Sequence, residues 1–258
     1  MSRRLEGRTA LVTGATRGIG LAIAGAFIAE GARVAINGRD AGVGEAAARA
    51  LGPDAIFCRG DVSDAAAIAR LVADARAALG RIDILVNNAG GESRFAPVVS
   101  LDDEIWTHCL NVNLTSAFRA SRCVLPAMIE AGFGRIINIS SVEGKHGKAG
   151  LAHYVAAKHG LNGFTKVLAK EVGLSGVTVN AICPGLVITE MVQKQAAKAA
   201  AAMGLSEQQL IEQFTKESSI GRANTVEEVA AMAVLLASEA GGGITGAQLS
   251  VDGGTAAY

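Results

Sequence analysis

The stretch Ala10-Leu11-Val12-Thr13-Gly14-Ala15-Thr16-Arg17-Gly18-Ile19-Gly20-Leu21-Ala22-Ile23 decides the fold. Its first residues form an apolar, β-branched run, and from Ile19 to Glu30 the apolar residues fall on one stripe of period 3.6. A strand therefore passes through a glycine turn directly into a helix. The first N–H groups of a helix lack intrahelical partners and carry the positive end of its dipole, so this junction is an anion site at the carboxyl end of the strand. Gly14 permits the tight turn, while Gly18 and Gly20 let the backbone approach a pyrophosphate and let the helix pack on the strand. The spacing is G-x-x-x-G-x-G, not the usual G-x-G-x-x-G, so the placement of the glycines between strand and helix carries the dinucleotide reading more than their number does.

Outward from this junction, apolar β-branched runs recur at Arg33–Ile36, Ala55–Phe57, Ile82–Val86, Arg135–Ile139, Val177–Ile182 and Gln248–Val251. Helical patterning lies between them, plainest at Ala65–Leu79, Leu101–Glu130, Tyr154–Val172 and Val226–Ala240. Alternating strands and helices predict an α/β chain whose parallel sheet is covered on both faces and joined by right-handed crossovers. No linker, charge block or repeat interrupts this order, so residues 1–258 read as a single-domain, doubly wound Rossmann-type fold of about seven parallel strands. The stretch from about 190 to 217 stands apart. It is helical by composition, but too long for a plain crossover, and is either a surface helical hairpin or a mobile lid over the site.

Twenty-four basic and 24 acidic residues cancel, so no global field favours nucleic acid or an anionic membrane. The natural partner is a small molecule or a second copy of the chain. A hydrophobic content of 50% is ample for a large core and favours burial of further apolar surface in an oligomer. The polar start Met1–Arg8, and the lack of any run of about 18 apolar residues, predict a cytoplasmic protein that neither crosses a membrane nor is secreted. Cys58, Cys109, Cys123 and Cys183 are far apart, without a C-x-x-C pair, and read as reduced packing residues with no metal.

The second strand ends Ile36-Asn37-Gly38-Arg39, with no acid at the tip where NAD sites usually place one for the ribose hydroxyls. Arg39 and Arg17 supply two guanidinium groups that can grip a 2′-phosphate through paired, charge-assisted hydrogen bonds. The expected cofactor is NADP(H) rather than NAD(H). In the competing arrangement Arg39 is a solvated turn residue and Asp40 swings in as the missing acid.

Tyr154 and Lys158 are four residues apart on a helix, which places both on one face. An ammonium at about 4 Å, with an effective dielectric of about 20, stabilises a phenolate by about 4 kcal/mol. That would bring a phenol of pKa about 10 toward neutrality, where general acid–base catalysis works best. Ser141 follows the strand Arg135–Ser140 at the ligand-binding edge of the sheet, thirteen residues before Tyr154. Asn113 is a polar residue on an otherwise packing helix face, and Asn87-Asn88-Ala89-Gly90 closes the fourth strand at the same edge.

Together Thr13–Gly20, Asp61, Asn87–Gly90, Asn113, Ser141, Tyr154, Lys158 and Pro184-Gly185 with Thr189 resemble the short-chain dehydrogenase/reductase family across essentially the whole chain. The resemblance implies an Asn-Ser-Tyr-Lys tetrad without metal, in which Tyr154 protonates the substrate oxygen and Ser141 steadies it. Lys158 would bind the nicotinamide ribose and lower the tyrosine pKa, and Asn113 would hold a relay water. For the cofactor it implies Gly14, Thr16, Arg17, Gly18, Ile19 and Gly20 at the phosphates and Asp61 with Val62 at the adenine. Asn88, Ala89 and Gly90 would lie along the ribose, and Pro184, Gly185, Val187 and Thr189 about the nicotinamide and phosphates. The family is commonly a homotetramer built through the helices that carry Asn113 and Tyr154.

Within the family, Gly144-Lys145-His146-Gly147, Ile182-Cys183-Pro184-Gly185 and the C-terminal Asp252–Tyr258 are similar to polyketide ketoreductases and 3-oxoacyl reductases. That implies a β-ketoacyl thioester, polyketide-like or cyclic ketone substrate. Two arginines that help dock acyl carrier protein in fatty-acid-type reductases fall at Gly132 and Ser175 here, with Arg135 close by. Glu190–Gln195 also resembles NAD-dependent 3-hydroxybutyrate dehydrogenases, although Glu143 stands near the place of their substrate-binding histidine. Glu143, His146, His153, Leu186 and Gln195 are the candidate substrate residues. A nucleotide-binding protein of the same fold without turnover is the remaining alternative.

Overall fold

The computed structural model describes residues 3–91, 95–203 and 206–256, with the side chains at 195, 197–199, 201–203 and 207 outside that description. Seven strands form one parallel sheet: β1 (Thr9–Val12), β2 (Arg33–Gly38), β3 (Ala55–Arg59), β4 (Ile84–Asn87), β5 (Gly134–Ile139), β6 (Val177–Pro184) and β7 (Gln248–Val251). Their order is β3-β2-β1-β4-β5-β6-β7. The chain winds outward from β1 in one direction and then, from β4 onward, in the other, and the crevice above the β1/β4 boundary is the topological switch point where such sheets hold ligands.

Both faces of the sheet are covered, which is why the strands are predominantly apolar. Ala10 and Val12 of β1 turn to one face, where they pack with Val34, Ile36, Ile137 and Ile182. There α1 (Gly18–Ala29) contributes Ile23, Ala24 and Phe27, and α9 (Val226–Ala237) contributes Val229, Ala233 and Leu236. Leu11 turns to the other face with Ala35, Leu85 and Val179. That face is covered by α3 (Ala65–Leu79), α5 (Ser116–Glu130) and α6 (Ala152–Val172).

Three elements differ from the sequence expectation. A helix α2 (Ala41–Leu51) stands where none is expected, capped by Asp40, whose carboxylate accepts from Val43 N at 3.0 Å. The long stretch from Leu101 to Glu130 is divided into α4 (Asp103–Leu110), a π-helical turn at Asn111–Thr115, and α5. The stretch from about 190 to 217 is α7 (Glu190–Met203) followed by α8 (Glu207–Thr215), joined by a small apolar cluster of Ala196, Ala200, Leu210, Ile211 and Phe214 that is separate from the two main cores. Among the described residues, no helix is long and apolar enough to cross a membrane and no cluster of side chains could hold a metal ion. Cys58, Cys109, Cys123 and Cys183 are free thiols.

Candidate active site

A cleft of about 530 Å³ opens at the carboxyl ends of β1 and β4. It runs from Arg39, Asp61 and Val62 at one end, across Gly14, Thr16, Arg17 and Gly18, past Asn88–Gly90, to Ser141, Tyr154 and Lys158, with Pro184–Thr189 on its far wall. Apart from Gly20, the expected cofactor residues therefore lie along one continuous groove with Ser141, Tyr154 and Lys158 at one end, while Asn113 stands behind the lining. Helix α1 begins at the floor of this groove, and neither a capping side chain nor an acidic residue occupies its first turn. Its first N–H groups and dipole favour an anion there, so the residues present fit a dinucleotide pyrophosphate.

The turn itself is locked from below. Asn37, wholly buried, accepts from Gly14 N at 3.3 Å and donates to Cys58 O and Gly60 O, which fixes the loop to the ends of β2 and β3. Asn88 donates both amide hydrogens, to Thr13 O at 2.9 Å and Gly14 O at 3.0 Å, while Thr13 Oγ1 accepts from the N–H groups of Asn88 and Ala89. The side chain of Asn88 thus holds the loop rather than the ribose side of the groove.

The two cations differ. Arg17 is ion-paired with Glu190 at the start of α7, Nη1 to Oε2 3.5 Å, so an incoming phosphate competes with a carboxylate for it. Arg39 acts on Asp61, whose carboxylate is held below its usual pKa chiefly by the Ser63 N–H, then by the Ser63 hydroxyl and Arg39. Asp40, the residue that an NAD arrangement would require at the ribose, is engaged as the cap of α2.

At the other end, the π-helical turn places Asn113. Its Nδ2 donates to Cys109 O at 3.0 Å, taking a carbonyl of the preceding turn, and its Oδ1 accepts from Gly91 N at 2.8 Å. Extra-residue turns of this kind frequently aim a functional side chain out of a helix. Gly90 must lack a side chain here, because a Cβ would stand 2.5 Å from Asn113 Oδ1 and 3.6 Å from Lys158 Nζ. The Tyr154 hydroxyl lies near enough to Ser141 for the serine hydroxyl to favour its phenolate. Lys158 is buried, donates to Ile139 O at 2.8 Å and stands 5.5 Å from the centroid of the Tyr154 ring.

The model of the short chain dehydrogenase family matches residues 8–200. The chain belongs to the short-chain dehydrogenase family. Among curated relatives, D-β-hydroxybutyrate dehydrogenase of Cupriavidus necator is 43% identical over 254 residues, covering 97% of this chain and 98% of that protein. The 3-oxoacyl-(acyl-carrier-protein) reductase of Chlamydia trachomatis is 39% identical over 260 residues, covering 99% and 100%. A solved structure of an actinorhodin polyketide ketoreductase variant with NADPH superposes with a TM-score of 0.93 at 38% identity, covering all of both chains.

This short-chain dehydrogenase is an oxidoreductase that uses a nicotinamide dinucleotide, with a seven-stranded Rossmann-like sheet as the resemblance implied. One electrostatic expectation is corrected. The Tyr154 hydroxyl is not poised near neutrality: burial pushes its pKa up to about 12, the Ser141 hydroxyl opposes this and the charge of Glu143 adds to it. Burial also pushes Lys158 down to about 8. Desolvation prevails at both groups, and the ammonium spends a hydrogen bond on the Ile139 carbonyl.

The substrate candidates divide. Glu143 is buried beside Ser141, with His146 Nε2 3.9 Å from its carboxylate. His153 is wholly buried in α6, so it belongs to the packing of that helix and not to the pocket mouth. Leu186 lines the far wall, held by Asn224 N donating to its carbonyl at 2.8 Å. Gln195 lies on α7, its side chain outside the described residues. Arg135 is buried between the ring of Phe133, 4.3 Å from its guanidinium, and Glu239, which removes it as an exposed docking cation.

Sequence reasoning passed over Asn37 and Asn138. Asn138 accepts from Asn87 Nδ2 at 2.8 Å and donates to Thr165 Oγ1 at 2.8 Å, a buried polar chain that ties β4, β5 and α6 together beneath the catalytic end. The available signal was two asparagines inside otherwise apolar strands, a pattern that a buried strand tolerates only when each amide is satisfied.

Proposed function

We propose that the chain is an NADP(H)-dependent ketoreductase acting on a β-ketoacyl, polyketide-like or cyclic ketone. The observation that carries the reading is the meeting of Ser141, Tyr154 and buried Lys158 at the end of a groove floored by the amino terminus of α1. The dinucleotide supplies the hydride when bound. Ser141 donates a hydrogen bond to the carbonyl oxygen, and Tyr154, held protonated by burial, delivers the proton to that oxygen as negative charge develops on it. Lys158 orients the ribose and offsets the transient phenolate, while Asn113 holds the water that returns a proton. The test is oxidation of NADPH, followed by absorbance, across β-keto esters, aryl ketones and cyclic ketones. Turnover of none of them would overturn the reading.

Arg39 at the tip of β2, with Asp40 engaged as a cap, supports NADPH over NADH. Charge-assisted hydrogen bonds to a phosphate are worth about 1.5–3 kcal/mol, so Arg39→Ala is expected to raise KM for NADPH about tenfold to a hundredfold and to leave KM for NADH within about twofold. The likeness to a hydroxybutyrate dehydrogenase favours a second reading, an NAD-linked secondary-alcohol dehydrogenase. Equal efficiency with both dinucleotides, unaffected by Arg39→Ala, would select it.

The two shifted groups give a sign for the pH dependence. Reduction needs both protons in place; Tyr154 keeps its own until about pH 12, whereas Lys158 loses its charge above about pH 8. The value of kcat/KM for NADPH, which reports the free enzyme, is therefore expected to fall as pH rises through about 8. A profile that stays flat well above that pH would contradict the role of Lys158.

The α7–α8 hairpin serves as the lid. Its apolar cluster is small and Arg17 anchors its first residue, as expected of a unit that opens on its own. The exposed Trp106, Phe118 and Val167 on the α4, α5 and α6 faces support a cytoplasmic homotetramer built through those helices. Light scattering is expected to give four chains per particle, and a monomer would refute it.

A further inference from the structure

Glu143 is a buried carboxyl that gives and takes no proton in the chemistry above, although its charge raises the pKa of Tyr154. It lies two residues after Ser141, and its N–H donates to Ser141 Oγ at 3.1 Å, so one short turn fixes both residues beside Tyr154. Its Oε1 is 3.9 Å from Lys148 Nζ and its Oε2 is 3.9 Å from His146 Nε2, both too long for hydrogen bonds. Glu143 Oε2 and His146 Nε2 are each fully buried with no hydrogen-bond partner among the described residues. Buried polar atoms are almost always satisfied, so two unsatisfied ones side by side call for a further polar partner, which a substrate group can supply. Glu143, His146 and Lys148 stand outside the lining of the dinucleotide cleft. They lie beneath the chain leaving the lid, where Lys148 Nζ is 3.2 Å from Glu217 and 4.1 Å from the centroid of the Phe214 ring.

The charges there do not balance. Lys148 is shared between two carboxylates and stands closer to Glu217 than to Glu143. The other titratable groups that act on Glu143 are His146 and the exposed His159. An anionic substrate group would meet a net negative, water-poor surface, in which repulsion is stronger than in bulk water. A neutral ester, thioester or hydroxyl group meets an acceptor in Glu143 and a ring nitrogen in His146. Burial pushes the Glu143 carboxyl up, and Lys148 and His146 draw it back toward the charged form.

We propose that Glu143, with His146, is the substrate-charge filter of this enzyme, admitting neutral carbonyl compounds beside Ser141 and Tyr154 and rejecting carboxylates. The proposal rests on the ketoreductase reading above.

The matched substrates are ethyl acetoacetate and acetoacetate, which present the same ketone with and without a charge. With NADPH, the parent enzyme is expected to favour the ester in kcat/KM by about tenfold or more. Glu143→Gln, which keeps the shape and removes the charge, is expected to shrink that preference about tenfold, mainly through KM for acetoacetate, with KM for NADPH unchanged. Lys148→Met removes the shared cation and is expected to widen the preference, which provides a reading in the opposite sense should the glutamine variant fold poorly. A parent that favours acetoacetate, or a preference that neither variant moves, would overturn the filter and leave the ketoreductase reading intact. Failure of the parent to reduce either compound, or any other ketone, would remove that reading and the filter with it.

Discussion

Tyr154→Phe is expected to lower kcat for ketone reduction about 10²–10⁴-fold while leaving the Kd for NADPH within about twofold. The substitution keeps the ring and removes one oxygen. Inside the protein it removes the hydroxyl that Ser141 acts on, while Lys158 keeps its bond to Ile139 O. A purely structural tyrosine would yield a variant of lower stability and ordinary turnover. A proton donor yields the reverse, because the dinucleotide groove is built by other residues and only the delivery of a proton to the developing alkoxide is missing. Ordinary turnover with the melting temperature unchanged would remove Tyr154 from the mechanism.

The second large effect is expected at the floor of the groove. Gly20→Ala would place a Cβ 2.4 Å from Asn88 Nδ2, 2.8 Å from Gly14 O and 2.9 Å from Ala15 Cα. Two of those three atoms are backbone, and the third is the amide that ties the loop to β4 through Thr13 O and Gly14 O. Overpacking costs about 1–3 kcal/mol and each of the two broken neutral hydrogen bonds about 0.5–1.5 kcal/mol, which together reach about 2–6 kcal/mol. The damage falls on the N–H groups that face the pyrophosphate, so NADPH affinity, measured by fluorescence titration, should drop at least about thirtyfold. Unaltered affinity would mean that the dinucleotide does not lie over this turn.

The architecture was legible in the sequence because each layer repeats one signal. Strands buried on both faces read as unbroken apolar runs, and β1, β5 and β7 fall within a residue or so of the expected bounds. Helix α3 matches at both ends, where Asp64 caps its start and Gly80 follows its last turn. Helix α2 was hidden because Gly42 and Gly44 lower its helix propensity and few apolar residues mark its buried side. The π-helical turn was hidden for a different reason: the switch is made by one side chain, Asn113, capturing the carbonyl of Cys109, and no period in the sequence records it.

Within the site, the positions of Ser141, Tyr154, Lys158 and Asn113 were legible and their electrostatics were not. The spacing of Tyr154 and Lys158 gives their shared helix face, but whether the ammonium meets the phenol or a carbonyl depends on Ile139 O, nineteen residues away in β5. The pairing of Arg17 with Glu190 was equally hidden, since it joins residues separated by 173 positions. Such long-range polar contacts decide which charges are spoken for, and a one-dimensional pattern does not contain them.

The most direct test of the account is to reduce a β-keto ester with NADPH carrying deuterium at the transferable C4 position and to locate the label in the product. The account predicts one deuterium on the new carbinol carbon in every turnover by the parent, and labelled product formed about 10²–10⁴-fold more slowly by Tyr154→Phe. Oxidation of NADPH without deuterium on that carbon, or labelled product formed equally fast by the variant, would contradict it.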